Sequence, residues 1–227
     1  MIKKIKSWLN DSRQQGNMVI SMIRREYQGK PLDETMLMDN PVEQFQIWFD
    51  DAKKESKFDS NAMILGTSTK DGKPSTRTVL LKGFDDTGFV FYTNYDSRKG
   101  SQLEENPQAS LTLYWPEMSR QVNIEGKVAR TNREESAAYF ASRPLGSRVS
   151  AAASPQSSEV ESRTFLEHRV AEIRRESGGD VECPENWGGY RLNPERIEFW
   201  QGRVSRLHDR FVYLRDGNSW TIKRLAP

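Results

Sequence analysis

The chain has 227 residues, 35% of them apolar and 10% aromatic, and its 34 Lys and Arg nearly balance its 32 Asp and Glu, for a net charge of +2. This aromatic content argues against a disordered chain, and the small net charge argues against a nucleic-acid-binding surface. A single cysteine, Cys183, cannot form an internal disulfide, and a content of two histidines argues against a metal centre.

Residues 1–30 are polar and weakly periodic, and we expect them to form a mobile N-terminal arm. By pattern alone, Arg24 and Tyr27 of this arm would lie on a solvated helix face. Lysines interrupt the apolar residues at the start of the chain, so no secretory signal is predicted, and no run approaches the ~20 apolar residues that span a bilayer. We therefore expect a cytoplasmic protein without a membrane partner.

The chain after the arm begins with a helix. Asn40 is a suitable N-cap and Pro41 a suitable first helical residue, and Phe45, Trp48 and Phe49 follow at helical spacing as a core-facing stripe. From residue 62 onward, short β-branched and aromatic runs are separated by turn residues, which is typical of antiparallel strands. Strands are predicted at residues 62–69, 75–82, 88–93, 109–115, 120–130, 187–192, 196–202, 210–215 and 219–225.

Three more helices are predicted from residues that favour the N-cap position, two of them with capping-box spacing. The predicted caps are Asp96 or Ser97, Asn132 with Glu135, and Ser158 with Glu161. Helices and strands do not alternate regularly, so a parallel sheet is not expected. The sequence predicts one domain over residues 31–227, an antiparallel barrel that is mainly β with flanking helices.

Familiar catalytic motifs are missing from the sequence. It contains no nucleotide-binding glycine loop, no HExxH zinc motif and no GxSxG nucleophile elbow. Kinase, dinucleotide-binding and hydrolase functions are therefore disfavoured. What remains is a set of cationic and hydroxyl side chains at strand ends and helix starts, which is typical of sites for phosphorylated ligands.

Two pairs of cations are candidates for such a site. Arg98 and Lys99 would lie in the first turn of a helix, where the helix dipole disfavours cations unless an anion binds nearby. Arg77 and Lys82 are five positions apart, so on a regular strand they point to opposite faces. They would then serve two different anions, or one of them would be solvated.

A further candidate pair is Tyr139 and Arg143, which share a helix face at i, i+4 spacing. A phenol with a guanidinium suits a phosphate monoester, although a tyrosine packed on the arginine stem is the alternative. Trp200 and Tyr92 could supply stacking surface for an aromatic ligand.

The segment RLHDRF places Arg206, His208 and Arg210 on one face of a predicted strand start. Three such groups repel one another, so a bound anion or an electron-rich ring would explain their proximity. Ion pairs with Asp209 or Glu198 are the alternative explanation.

Nine segments between about Arg24 and Pro227 occur in a specific order and spacing. They are RREY (24–27), RTVLLKGFDDTGFVFYTNYDSRKG (77–100), RQVNIEGKVAR (120–130), YFASRP (139–144), PQSS (155–158), WGGYRL (187–192), IEFWQG (197–202), RLHDRFVY (206–213) and the C-terminal RLAP. In this order and spacing, they resemble the pyridoxamine 5′-phosphate oxidase family.

The resemblance implies an FMN-binding split β-barrel and a homodimer with FMN at each of two subunit interfaces. It implies oxidation of pyridoxamine 5′-phosphate and pyridoxine 5′-phosphate to pyridoxal 5′-phosphate, in vitamin B6 biosynthesis or salvage. A hydride or its equivalent would pass from C4′ of the substrate to flavin N5, and O2 would reoxidise the flavin with release of H2O2. With the amine substrate, the imine would hydrolyse to the aldehyde and ammonia.

The resemblance also implies the site residues. Arg206 and His208 would be catalytic, lying over the pyridine ring opposite the flavin, and no metal would be needed. FMN contacts would come from Arg77, Thr78, Val79, Leu80, Leu81, Lys82, Tyr92, Thr93, Arg98, Lys99, Gln121, Gln156, Ser157, Trp200 and Arg210. Substrate contacts would come from Lys82, Tyr139, Arg143, Ser147, Arg206, Leu207 and His208, with Arg24 and Tyr27 on an arm that closes over the site.

The stretch 145–158 departs from the family pattern, because Arg148 and Ser150 replace the usual neighbours of Ser147 in a segment that we expect to be a loop. Three other functions stay open: another flavin enzyme on the same barrel, such as a flavin reductase; a non-catalytic carrier of FMN or pyridoxal phosphate; and a nucleic-acid-binding barrel. The intact RLHDRF and YFASRP segments disfavour the first, and the presence of both Arg206 and His208 disfavours the second. The scattered cations and the small net charge disfavour the third.

Overall fold

The computed structural model describes residues 26–227, in which nine antiparallel strands form one sheet flanked by helices. The strands are β1 (Ala62–Ser68), β2 (Pro74–Leu80), β3 (Gly83–Asp85), β4 (Gly88–Asn94), β5 (Gln108–Trp115), β6 (Arg120–Arg130), β7 (Trp187–Gln201), β8 (Asp209–Asp216) and β9 (Ser219–Leu225). The helices are α1 (Pro41–Glu55), α2 (Arg98–Glu105), α3 (Arg133–Ser142), α4 (Leu145–Ala153) and α5 (Arg163–Glu176). The mainly β class is confirmed, and β3 is a short strand that the sequence did not predict.

The core lies on the inner face of the sheet, because apolar residues alternate with polar ones along the strands. Leu65, Leu111 and Ile124 are direct neighbours across β1, β5 and β6, and all three are fully buried. Phe45 and Trp48, from the apolar stripe of α1, are buried in the same core. Burial of each such side chain is worth about 1.5–3 kcal/mol.

The strand order is β2-β1-β5-β6-β7-β4-β3, with β8 on the second half of β7 and β9 on β8. β2 also lies close to β4, so the sheet curls until its two ends approach each other. β7 pairs with β4 through its first part and with β8 through its last part, while β6 pairs with it from Tyr190 to Gln201. A register shift between Glu125 and Gly126 bends this long pair.

The prediction of two separate strands at 187–192 and 196–202 is wrong. Asn193 and Pro194, which lie between those segments, also pair with β6, so the strand is continuous. Because β7 is one long strand, its two ends lie in two different parts of the molecule, and each end is close to candidate site residues.

Three predicted N-caps are observed. The side chain of Asn40 accepts the backbone N–H of Val42 at 2.8 Å, and Asn132 accepts that of Glu135 at 2.7 Å. Ser97 caps α2, so of the two alternatives the serine is the cap. Within residues 26–227, no helix has both the length and the apolar character that a bilayer crossing requires.

The predicted start of the next helix at Ser158 with Glu161 is wrong. α5 begins at Arg163, where the hydroxyl of Ser162 accepts the backbone N–H of Phe165 at 3.1 Å. Both serines are acceptable caps, and the sequence pattern did not distinguish between them.

Two further predictions differ from the structure, a loop at residues 145–153 and a strand start at residue 206. Residues 145–153 form helix α4, which begins directly after Pro144 and contains three consecutive alanines with high helix propensity. The strand start predicted at residue 206 is wrong, since β8 begins at Asp209. Ser205 and Arg206 adopt left-handed φ values of 54° and 61°, which break the alternation that would place residues 206, 208 and 210 on one face.

Candidate functional site

A cavity of about 1100 Å³ lies between β2, β4, the start of α2 and the corner that joins α3 to α4. It brings together most of the predicted site residues from five separate chain segments. Those that line it are Arg77, Thr78, Val79, Leu80, Lys82, Tyr92, Thr93, Arg98, Lys99, Tyr139, Arg143, Ser147, Gln156 and Ser157.

The charge of this cavity is strongly one-sided. Five cationic side chains line it, and no aspartate or glutamate of residues 26–227 is among the lining residues. None of the five forms an ion pair with a carboxylate in that part of the chain; they are Arg77, Lys82, Arg98, Lys99 and Arg143. Because Lys99 is buried and Arg77 and Arg143 are half-buried without a counter-charge, the cavity is suited to an anionic ligand.

Arg77 and Lys82 both line this cavity, and that they serve two different anions stays a prediction. β2 ends at Leu80, and Lys82 lies beyond the regular strand whose alternation that prediction assumed. Leu81, between them, is buried in the core with 4% exposure, so its side chain does not line the cavity.

Lys99 is the most deeply placed of these cations, with 8% of its surface exposed. Its ammonium donates to three neutral oxygens: Thr93 Oγ1 at 3.1 Å, Ser97 Oγ at 3.2 Å and Gln156 Oε1 at 3.0 Å. Burial, together with repulsion from Arg77, lowers the pKa of Lys99 to about 8. The first-turn position of Lys99 in α2 agrees with the sequence prediction.

The guanidinium of Arg77 is held by neutral acceptors on β1, β2 and α2. It donates to Thr67 Oγ1 and to Ser75 Oγ, both at 2.6 Å. Gln102, which is buried, accepts from both hydroxyls at 2.6 and 2.7 Å and from Arg77 at 3.4 Å. Sequence analysis missed Gln102, because its role depends on α2 packing against β1 and β2.

An aromatic stack forms the other wall. The ring of Tyr92 lies 3.9 Å from that of Tyr139 and 5.5 Å from that of Trp187, with near-parallel planes. The guanidinium of Arg143 lies 4.8 Å from the Trp187 ring, and its buried Nη1 has no hydrogen-bond partner. Trp187 was also missed by sequence analysis, although the motif WGGYRL that begins with it was noticed.

The ring of Tyr139 stacks on Tyr92 rather than on the side chain of Arg143. Arg143 directly follows α3 as its C-cap. The orphaned Nη1 of Arg143 is a buried donor that a ligand oxygen would satisfy. On α4, Ser147 and Ser150 are one helical turn apart and both line the cavity.

The remaining predicted residues form a second group at the far end of β7. Gln121, Trp200 and Arg210 are direct cross-strand neighbours on β6, β7 and β8. Arg210 forms an ion pair with Glu198 at 2.8 Å, one of the alternatives left open by the sequence. None of these three lines the cavity.

The loop before β8 completes this second group. The ring of His208 lies 4.7 Å from Trp200 and 5.3 Å from Tyr27, and Leu207 is 71% exposed. Arg206 has no ion-pair partner among residues 26–227. Burial, and then repulsion from Arg206 and Arg210, lower the pKa of His208, while Asp209 opposes this change.

The N-terminal arm is described only from residue 26 onward, so Arg24 lies outside the described residues. Tyr27 packs edge-on against Trp200 and His208. The backbone N–H of Ser205 donates to the Glu26 carboxylate at 2.8 Å. This part of the predicted arm therefore contacts the second group rather than the cavity.

The two groups are far apart along β7. Trp187 lines the cavity and Trp200 belongs to the second group, and their separation of 13 positions corresponds to roughly 40 Å of strand at ~3.3 Å per residue. Residues 26–227 of a single protomer therefore do not place all predicted site residues around one ligand.

The curled antiparallel sheet identifies the fold as a split β-barrel. Its cavity is lined by cations and by no aspartate or glutamate of residues 26–227, so it is suited to an anion. The profile described as pyridoxamine 5′-phosphate oxidase matches residues 49–176, and that described as pyridoxine 5′-phosphate oxidase C-terminal dimerisation region matches residues 187–227. The chain belongs to the pyridoxamine 5′-phosphate oxidase family.

Two curated relatives carry the name pyridoxine/pyridoxamine 5′-phosphate oxidase. That of Rubrobacter xylanophilus is 54% identical over 206 residues, covering 90% of this chain and 95% of its own. That of Burkholderia thailandensis is 52% identical over 208 residues, covering 90% and 97%.

Two solved structures are similar in fold. PhzG from Burkholderia lata 383, in complex with tetrahydrophenazine-1-carboxylic acid, has a TM-score of 0.84 at 32% identity and covers 89% of this chain and 100% of its own. An FMN binding protein from Nostoc punctiforme, related to pyridoxamine 5′-phosphate oxidase, has a TM-score of 0.67 at 19% identity, with 83% and 98% covered. The second supports the fold alone.

Proposed function

We propose that this protein is an FMN-dependent oxidase that converts pyridoxamine 5′-phosphate and pyridoxine 5′-phosphate to pyridoxal 5′-phosphate. The observation that carries this proposal is the cavity with five cations and no lining carboxylate among the described residues. Both the cofactor and the substrate bring a phosphate, and two phosphates explain five cations better than one does. The names of the curated relatives support the same substrates.

The residues of the cavity divide into two phosphate-binding ends. Arg77, Arg98 and Lys99 would hold the FMN phosphate beside the start of α2, where the helix dipole adds to their attraction. At the other end, Arg143 offers its unpartnered Nη1 to the substrate phosphate. Lys82, Tyr139 and Ser147 would supply the remaining donors at that end.

When bound, FMN would supply the two-electron oxidation chemistry, with O2 as the final electron acceptor and H2O2 as its product. The chain positions the substrate ring and excludes water. Arg206 and His208 would lie over the pyridine ring, and Trp200 would cover one edge of the ligand pair. The proximity of reacting atoms that results is the main contribution of the protein to the rate.

We further propose a homodimer in which the second group of one protomer completes the cavity of the other. Two observations support it: the two groups are separated by most of β7 within one chain, and the matched dimerisation region, 187–227, contains Trp200, Arg206, His208 and Arg210. In a twofold dimer each contact occurs twice, so two complete sites would form.

Hybrid dimers test this arrangement. Arg143→Ala removes a cavity group and Arg206→Ala a second-group residue, and each homodimer is expected to be nearly inactive at a substrate concentration near the wild-type KM. A hybrid isolated with two different affinity tags has one doubly altered site and one intact site, so it should show about half the wild-type activity. No recovery in the hybrid would mean that each site is built from a single chain.

The function itself is tested by anaerobic mixing of the FMN-loaded protein with pyridoxine 5′-phosphate while the flavin absorbance is followed. We expect bleaching, reversed by air as pyridoxal 5′-phosphate appears. Bleaching by NADPH alone would indicate a flavin reductase, and no bleaching by either would indicate a carrier. The similarity to PhzG favours one second candidate, oxidation of a reduced phenazine carboxylate, which is the third donor in the same experiment.

The buried ammonium of Lys99 predicts that FMN affinity depends on pH. The pKa of Lys99 is about 8 in the ligand-free protein, and a phosphate beside it would raise that value. FMN binding then takes up a proton above pH 8, so the affinity should fall by about tenfold per pH unit there and be level below. Fluorescence titration measures this dependence.

Lys99→Arg is the matched control, because a guanidinium stays protonated throughout the range and should remove the break near pH 8. A wild-type affinity that does not change between pH 7 and pH 9.5 would place the FMN phosphate away from Lys99.

A further inference from the structure

The carboxylate of Asp209, the first residue of β8, joins three separate segments of the chain. Its Oδ2 accepts the backbone N–H of Leu32 at 3.1 Å and the guanidinium of Arg203 at 3.2 Å. Its Oδ1 accepts the guanidinium of Arg224, on β9, at 3.1 Å. The Asp209 side chain is 17% exposed, so water competes weakly for these contacts.

One of these partners also holds the neighbouring imidazole. The backbone N–H of Arg203 donates to Nδ1 of His208 at 3.1 Å. Nδ1 is therefore an acceptor, and the proton of the neutral ring lies on Nε2. Arg203 thus binds His208 through its backbone and Asp209 through its side chain, so the carboxylate is connected to the imidazole through a single residue.

The loop between these contacts contains two residues in an unfavourable backbone conformation. Ser205 and Arg206 have φ values of 54° and 61°, a left-handed conformation that is unfavourable for residues with a side chain. Such a conformation persists only where surrounding contacts impose it. The contacts that hold the loop on each side are those of Glu26 with Ser205 and of Asp209 with Arg203.

We propose that Asp209 is a positioning residue for the oxidation: it fixes the loop of residues 203–208 against the N-terminal segment so that Arg206 and the Nε2 side of His208 face the ligand. This proposal rests on the proposed function for its kinetic consequence, but not for its effect on His208 itself. Asp209 acts through Arg203 and Leu32 and need not touch the substrate.

The charges around His208 make this role measurable. Removing the carboxylate takes away a negative charge that favours the imidazolium, while the repulsion from Arg206 and Arg210 stays. His208 should therefore lose its proton at lower pH. The charged and titratable groups that face this region are Glu26 and Tyr27 of the N-terminal segment, Arg203 and Arg206 of the loop, Asp209 and Arg210 of β8, Glu198 of β7 and Arg224 of β9.

The first experiment follows the imidazole directly by NMR, which is feasible because the chain has two histidines, His168 and His208. His168→Gln, on the exposed face of α5, assigns the signals. In Asp209→Asn we expect the His208 titration midpoint to move down and the preference for the Nε2–H tautomer to weaken. An unchanged midpoint and tautomer would overturn the proposal, whether or not the protein is an oxidase.

The second experiment measures anaerobic flavin reduction in the FMN-loaded protein. Asp209→Asn should slow it by about tenfold to a hundredfold, as expected for a misplaced reacting group, with flavin affinity unchanged. Asp209→Glu, which keeps the charge, should restore the His208 midpoint but only part of the rate. Asp216→Asn, at the exposed other end of β8, is the matched control and should behave as wild type.

A variant that leaves the carboxylate in place covers the case in which Asp209→Asn does not fold. Arg203→Gln keeps the backbone donor to His208 and breaks only the contact to Asp209, so it should reproduce the loss of rate. A wild-type rate in Arg203→Gln would contradict the proposed connection. Failure of the wild-type protein to oxidise the vitamer would contradict the proposed function and leave the NMR result standing.

Discussion

Replacing Arg206 by alanine is expected to slow the anaerobic reduction of bound flavin by about a hundredfold to a thousandfold, which is the usual loss when one charged donor is removed from a reacting centre. Arg206 has no ion-pair partner among residues 26–227, so its charge is available to a ligand. Flavin affinity should change little, because the residues assigned to the FMN phosphate lie in the cavity. Stopped-flow absorbance measures the rate, and fluorescence titration measures the affinity.

Two variants make this result specific. Arg206→Lys keeps the charge without the planar fork and should recover part of the rate. Arg163→Ala removes an exposed arginine on α5 and should leave the rate unchanged. If Arg206→Ala reduces its flavin at the wild-type rate, Arg206 has no catalytic role.

Arg143→Ala is expected to raise the KM for pyridoxine 5′-phosphate by about a hundredfold, since removal of a buried charged donor typically costs two to three powers of ten in affinity. The physical basis is the unpartnered Nη1 of Arg143, which a phosphate oxygen would satisfy. The kcat should change much less, because this contact is formed equally in the ground state and the transition state. Steady-state kinetics with both phosphorylated vitamers separates the two constants.

Unphosphorylated pyridoxine provides an internal check. It lacks the group that Arg143 would bind, so its kcat/KM should be nearly the same in wild type and Arg143→Ala. Arg148→Ala is the neighbouring control: Arg148 contacts Asp180 and does not line the cavity. An unchanged KM for the phosphorylated substrates in Arg143→Ala would mean that the substrate phosphate binds elsewhere.

Several parts of the fold could be predicted because they depend on residues a few positions apart. The cap of α1 at Asn40 needs only the backbone N–H two residues later, and the strands were predicted from alternation between neighbours. The position of Lys99 in the first turn of α2 was predicted in the same way. Where two local choices were nearly equal, as for Ser158 and Ser162, the pattern predicted the wrong one.

The site was predicted less completely, because its geometry depends on contacts between distant segments. Gln102 and Trp187 were missed, since each acts on a residue from another element: Gln102 on Arg77, and Trp187 on Arg143. The predicted strand face for residues 206, 208 and 210 failed because it assumed regular alternation where the backbone turns left-handed.

Local sequence was thus sufficient for the mainly β class, most helix starts and the cationic character of the site, because these properties arise from hydrogen bonds and side-chain periodicity within a few residues. The resemblance to a family added an expected ligand and a set of candidate contacts. Only the tertiary structure separated those candidates into a cavity and a second group at opposite ends of β7. It also joined Leu32 to Asp209 across 177 positions, because long-range pairing depends on how the whole sheet curls and packs.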